Sequence, residues 1–275
     1  MLHYQFIHNA LLASVLLAVV VGFIGTYIVA RRLVFLSGGI THASFGGIGL
    51  GWYLGISPIL GAAVFAVLSA LGFEAITRRR TLREDSAIGM LWALGMALGV
   101  FFVFLTPGYA PNLMSYLFGN ILTISQTDIA MLAALVAAVL LFFGLLHRPI
   151  LFVAFDSRYA MSQRPTGAML IDCVLKVLVA LAIVLSIRAV GIILLISLLT
   201  APANIANLLT RRFYPMVAIS ATTALLSLLA GLWLSYSLNV PSGAAVVLIL
   251  VLTYGVIRLT NGILRAIRPP RLRDA

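Results

Sequence analysis

The chain is poor in charge. Only 9% of its 275 residues are Asp, Glu, Lys or Arg, against 63% hydrophobic residues, whereas a soluble domain carries about a quarter charged residues. A soluble globular fold is therefore excluded, and an all-α polytopic membrane protein is implied. Cysteine is almost missing: Cys173 alone excludes an intramolecular disulfide or a thiolate cluster within one copy. Lysine is equally scarce. Because Lys176 is the only lysine and Leu175 precedes it, no G-x-x-x-x-G-K-[ST] loop exists to hold ATP. H-E-x-x-H, G-x-S-x-G and paired intramembrane aspartates are also missing, which leaves hydrolytic chemistry, and an enzyme reading, without residues. None of the seven acids falls at mid-span, where a proton or sodium relay would need them. Uphill movement of a cargo would then need an external motor.

What the chain has instead is apolar length. The run from Asn9 to Ala30 is too long for the core of a signal peptide, has no Lys or Arg before it, and is followed directly by Arg31 and Arg32. At about 20 residues per span, eight further spans fall near 33–55, 58–77, 86–105, 128–146, 170–187, 189–209, 215–236 and 243–262. Nine spans put the N-terminus outside and the C-terminus in the cytoplasm. Arg31 and Arg32; Arg78, Arg79, Arg80 and Arg83; Arg148, Arg158 and Arg164; Arg211 and Arg212; and Arg265 to Arg273 then share the inner side, with Arg188 alone opposite. The net charge of +11 is thus the positive-inside pattern and carries no nucleic-acid implication. The whole chain, 1–275, reads as a single transmembrane domain in a lipid bilayer, with an outer loop at about 106–127 and an inner loop at about 147–169.

The stretch from Ser37 to Gly51 carries the most information. On a helix, Gly39, Ala43, Gly47 and Gly51 form one stripe almost without side chains, of the kind that lets two membrane helices touch. His42 lies on the neighbouring face. An ionisable ring on such a helix marks a functional site, or else it only hydrogen-bonds a carbonyl of a neighbouring helix. In the seventh span Ser197, Thr200, Asn204 and Asn207 share one face of a helix that Pro202 interrupts. Polar residues on a broken membrane helix are tolerated where they line a water-filled path or are buried in protein; a path lining is favoured here. Asp172 and Lys176, four apart, read as an ion pair, as do Glu74 and Arg78. Glu84, Asp85 and Asp128 read as helix caps, although Asp128, facing outside, could also attract an incoming cation.

The two long loops differ in character. The outer one is rich in Pro, Gly, Asn and aromatics, which suits a structured lid or a docking surface for an external protein, while Tyr109 and Tyr116 also fit an interfacial belt. The inner one holds a short amphipathic helix, Asp156 to Gln163, capped by acid and stopped by Pro165, placed to dock a soluble partner.

Arg31-Arg32 before a glycine-rich helix with THA at 41–43, REDSAIGML at 83–91, YLFGN at 116–120 and AVGIILLISLLTAPANIA at 189–206 together resemble the permeases of the metal-ion ABC importers, which take up zinc, manganese or iron. The resemblance covers nearly the whole chain. It implies a plasma-membrane permease of a prokaryote, homodimeric, with a pore on the two-fold axis. Cytoplasmic ATPase subunits that hold the ATP would grip Asp156, Arg158, Ala160, Arg164 and Gly167, and an external metal-binding protein would deliver a divalent ion. The implied path holds His42, Thr41, Ser197, Thr200, Asn204 and Asn207. His42 is the transient metal ligand, zinc the first expected cargo, and the chain binds no cofactor of its own. Two positions depart from the family pattern: Gly38 stands where an acid is usual, and Arg164 where the inner loop usually has glycine. The missing acid keeps a permease for a chelated or organic substrate open. A membrane enzyme or scaffold without transport is the reading from another class.

Overall fold

The computed structural model describes residues 5–78, 83–107, 113–163 and 165–267, and every regular element among them is helical. Arg79, Arg80, Tyr109, Arg164 and the basic residues after 267 lie outside the described residues, as does the side chain of Arg158. The first span runs as α1 (Gln5–Val20), a π-helical turn (Val21–Gly25) and α2 (Thr26–Ala30). Glycines let this turn sit close to its neighbours: a Cβ on Gly22 would lie 2.9 Å from the Cβ of Ala221, and one on Gly25 would overlap the Leu199 carbonyl.

The chain continues through α3 (Val34–Tyr53), α4 (Pro58–Arg78), α5 (Glu84–Leu105), a short α6 (Leu113–Phe118), a 3-10 turn (Ile121–Thr123) and α7 (Gln126–Leu145). After α8 (His147–Phe155) and α9 (Ser157–Gln163) come four long helices, α10 (Pro165–Val190), α11 (Ile192–Leu209), α12 (Phe213–Leu238) and α13 (Ser242–Ile267). Eight of these helices, counting Gln5–Ala30 as one, are long and apolar enough to cross a membrane.

The ninth expected span is α3, which is helical for 20 residues but too rich in glycine and hydroxyls to qualify by composition. The fold meets this by wrapping it. From Leu36 to Gly49 every α3 residue is buried, and α4 and α5 close on it from two sides. The small-residue stripe is shared between them: Gly39 and Ala43 meet α5 at Ile88 and Gly95, while Gly47 and Gly51 meet α4 at Gly61 and Pro58. Added side chains at Gly47 or Gly61 would run into the backbone of the facing helix, which is how small residues bind membrane helices together. Ser37, Thr41 and Ser44 donate their hydroxyls back to Val34, Ser37 and Ile40 carbonyls at 2.7 Å. Their polar groups are thereby paired within the helix, as an apolar surrounding demands.

Charges gather at the two ends of the bundle. At the end that holds the Arg31–Arg32 bend, Lys176 of α10 donates to Asp172 at 2.6 Å and also to Glu74 of α4, while Arg31 donates to Asp172 at 3.1 Å. The expected Asp172–Lys176 pair is thus part of a larger set of two cations and two anions, joined by the Tyr27 hydroxyl at 3.4 Å. At the other end Ser125 and Asp128 form a capping box on α7. Arg188, the one arginine out of place in the sequence pattern, pairs with Asp128 at 2.8 Å.

Two local expectations change. Pro202 does not break α11, which runs unbroken from Ile192 to Leu209; proline removes one helix hydrogen bond, and packing inside the bundle carries the segment past it. Gly167 is not in a loop either, because α10 begins at Pro165, where a fixed φ favours a helix start.

Candidate functional site

His42 lies 8 residues into α3 and is 8% exposed. Of its two ring nitrogens only Nδ1 is sealed from solvent without a partner. A buried polar atom left unpaired costs about 1–3 kcal/mol, so this imidazole is not the satisfied packing histidine of the blander reading. Its ring lies against Trp92 of α5, centroids 4.1 Å apart and planes 14° apart. One turn earlier Gly38 faces the same indole and Ile196 of α11: a Cβ there would sit 3.7 Å from Trp92 and 3.2 Å from Ile196. Three helices, α3, α5 and α11, therefore meet at Gly38, one turn before His42.

The next residues along α11 are the polar ones. Ser197 and Asn204 are half-buried, Asn207 is exposed and Thr200 is buried, while Leu195, Leu198, Leu199, Ala203 and Ala206 pack inward. The one side of α11 that the chain leaves uncovered is thus the side carrying Ser197, Asn204 and Asn207. Thr200 donates to the Ile196 carbonyl at 2.7 Å and Asn204 to the Thr200 carbonyl at 3.0 Å, so both donors are satisfied within the helix while each side-chain oxygen keeps the capacity to accept. Thr41, by contrast, is fully buried and stands on another face of α3 from His42. Asp128 is 5% exposed and held by Ser125 and Arg188, so its charge is already balanced.

Among the described residues no three His, Cys, Asp or Glu converge on one point. A metal held by this chain alone would therefore have His42 and weak oxygen donors. A cavity of about 800 Å³ between α4 and α5 is lined mostly by apolar residues such as Phe65, Leu68, Phe73, Met90 and Leu94, with the Ser69 hydroxyl among them. It is a groove for apolar matter.

At the arginine-rich end, Asp156 accepts from the Tyr159 backbone N–H at 2.9 Å and so caps α9. Tyr159 is 50% exposed, and Phe152 and Phe155 beside it are 53% and 58% exposed. Ala160 of α9 and Gly167 of α10 come together on the wall of a cavity of about 340 Å³. The short helix is thus a protruding, partly apolar element set on a recessed bed. Sequence reasoning had no means of finding Trp92 or Ile196, since neither stands out by residue type in an apolar span.

Known proteins agree with this architecture. The family model described as "ABC 3 transport family" matches residues 3–260. A "Manganese transport system membrane protein MntC" of Halalkalibacterium halodurans is 33% identical, the match covering 90% of this chain and 85% of that protein. An uncharacterised membrane protein of Synechocystis is 39% identical over 92% of this chain and 90% of its own length. Among solved structures, "PsaBC from Streptococcus pneumoniae in complex with Fab" superposes with a TM-score of 0.81 at 29% identity, covering 93% of this chain and 91% of that one. Helix order, length and sequence point the same way: the chain belongs to the ABC 3 transport family, as a multi-pass membrane permease subunit.

Proposed function

We propose that this chain is the permease of an ATP-driven importer of a divalent transition-metal ion, and that the ion passes by alternating access between two copies of the chain. The observation that carries the reading is His42: a buried imidazole whose Nδ1 is sealed and unpaired, which leaves its other nitrogen to meet a cargo, one turn from the place where α3 meets α11 at Gly38 and Ile196. Ser197, Asn204 and Asn207 continue the path, with Thr200 lending its oxygen; Thr41 supports the α3 backbone and does not meet the ion. Two-fold symmetry would bring a second His42 to the axis, giving two imidazoles and no carboxylate. One or two neutral ligands make a weak site, which suits passage more than storage.

The motor is a separate ATPase subunit that seats on α9, through Tyr159 and the exposed Phe152 and Phe155, with Ala160 and Gly167 forming the bed beneath. Delivery is by an external metal-binding protein at the end that carries the Asp128–Arg188 pair. For the cargo, ligand chemistry favours zinc: imidazole suits zinc, iron and copper, whereas manganese prefers carboxylate and carbonyl oxygens. Manganese is the second reading, favoured by the likeness to the manganese transport protein of Halalkalibacterium halodurans, 33% identical to this chain. Vesicles holding the permease with its ATPase should take up zinc only with ATP, and should take up little after His42→Ala. Equal uptake by the variant would remove His42 from the path.

A further inference from the structure

We propose that Trp92 is the positioning residue of the His42 imidazole, fixing the direction in which its free nitrogen meets the cargo; this rests on the reading of His42 as the path ligand. The stack is close and nearly parallel, at 4.1 Å and 14°. A metal approaches imidazole along the nitrogen lone pair, which lies in the ring plane. A partner laid on the ring face therefore holds the plane in which that lone pair lies without blocking it. An unstacked His42 could turn about its side-chain bonds and present either nitrogen. With Nδ1 sealed, the stacked ring presents one.

The position of the indole is set by backbone contact and not by chance packing. Cβ atoms added at Gly95 or Gly99 of α5 would overlap the α3 backbone at Ala43 and Phe45, and one on Gly46 would lie 3.0 Å from the Gly95 carbonyl. These contacts lock the register of the two helices, which places Trp92, three residues before Gly95, over His42, one residue before Ala43. Gly38 completes the arrangement. A Cβ there would crowd Ile196 at 3.2 Å and lie in ordinary contact with the indole at 3.7 Å, so it is a longer side chain at this position that would compete with the tryptophan. Trp92 is still 37% exposed, so the stacked pair borders open space.

The test uses the permease in complex with its ATPase, in vesicles loaded with a zinc-sensitive dye, and compares Trp92→Ala, Trp92→Phe, His42→Ala and the Trp92→Ala/His42→Ala double variant. Aromatic stacking of this kind corresponds to roughly three- to tenfold in an equilibrium constant. Trp92→Ala should therefore raise the KM for zinc by roughly that factor, a larger change than any in maximal rate. Trp92→Phe should restore the KM to near the wild-type value. The double variant should be no worse than His42→Ala alone, since a ring that is gone cannot be positioned. A wild-type KM in Trp92→Ala while His42→Ala is impaired overturns the role of Trp92 only. An unchanged KM in His42→Ala removes the path reading and this proposal with it. Multiplied effects in the double variant, or a lower maximal rate and melting temperature that Trp92→Phe does not restore, would also overturn it and leave Trp92 as packing.

Discussion

Replacing Lys176 by methionine tests whether the four charges at the arginine-rich end act as one unit. Lys176 donates to both Asp172 and Glu74, and their side chains are 2% and 18% exposed. Methionine keeps the volume and removes the cation that bridges the two acids, which leaves Asp172 with Arg31 and takes from Glu74 its bond to Lys176. Removing one partner from a buried set costs about 3–5 kcal/mol, because two acids held close together in a low dielectric lose the cation between them. At a few degrees per kcal/mol this is a fall of roughly 5–15 °C in melting temperature. The second variant makes the test specific. Lys176→Met with Glu74→Gln removes one charge of each sign and leaves the Arg31–Asp172 bond at 3.1 Å intact, so the double variant should melt well above the single one. Fluorescence-detected melting in detergent measures both. A single variant that loses less than about 1 kcal/mol, or a double variant that melts no higher, would refute the reasoning and reduce the set to independent surface pairs.

Other expectations follow from the same packing. Gly47→Ala should destabilise by about 1–3 kcal/mol, as overpacking does, because its Cβ would overlap the Gly61 backbone, whereas Gly72→Ala, with open space around it, should not; comparing their melting curves checks this. Gly191→Ala should be more damaging still, since its φ of 87° is a left-handed conformation and its Cβ would run into Phe118 and Gly119. Ser125→Ala should cost about 1 kcal/mol through loss of the capping box, with the Asp128–Arg188 bond retained. Removing Asp156 to Gln163 should abolish ATP-driven uptake while the spans stay folded, which uptake and melting assays on the same vesicles would separate.

Much of the fold was legible because it is local. Length and hydropathy mark each span, the Asp172–Lys176 pair follows from a spacing of four on one helix, and the capping role of Asp128 follows from its place at the start of a span, though its partner Ser125 does not. The glycine stripe of α3 announces close packing by its composition. What the sequence hides is which helix each feature meets. Arg31 joins Asp172 across 141 residues and Lys176 reaches Glu74 across 102, and no local spacing encodes such a contact. Arg188 looks misplaced until Asp128 is seen beside it, 60 residues away. Pro202 reads as a break because proline disrupts isolated helices, yet tertiary packing holds α11 straight through it. The candidate site follows the same rule: His42 and the α11 stripe stand out as polar residues in apolar runs, while Trp92, Ile196 and the space at Gly38 emerge only once three helices are brought together.

The central claim is that this chain carries a divalent metal past His42. The most direct measurement is the zinc, manganese and iron content, by mass spectrometry, of metal-starved cells carrying the wild-type gene, a deletion, or His42→Ala at equal protein level. The account predicts that one metal, zinc first, falls on deletion and falls to a similar extent with His42→Ala. Unchanged content of all three metals in the deletion would contradict it and move a chelated or organic cargo to the front.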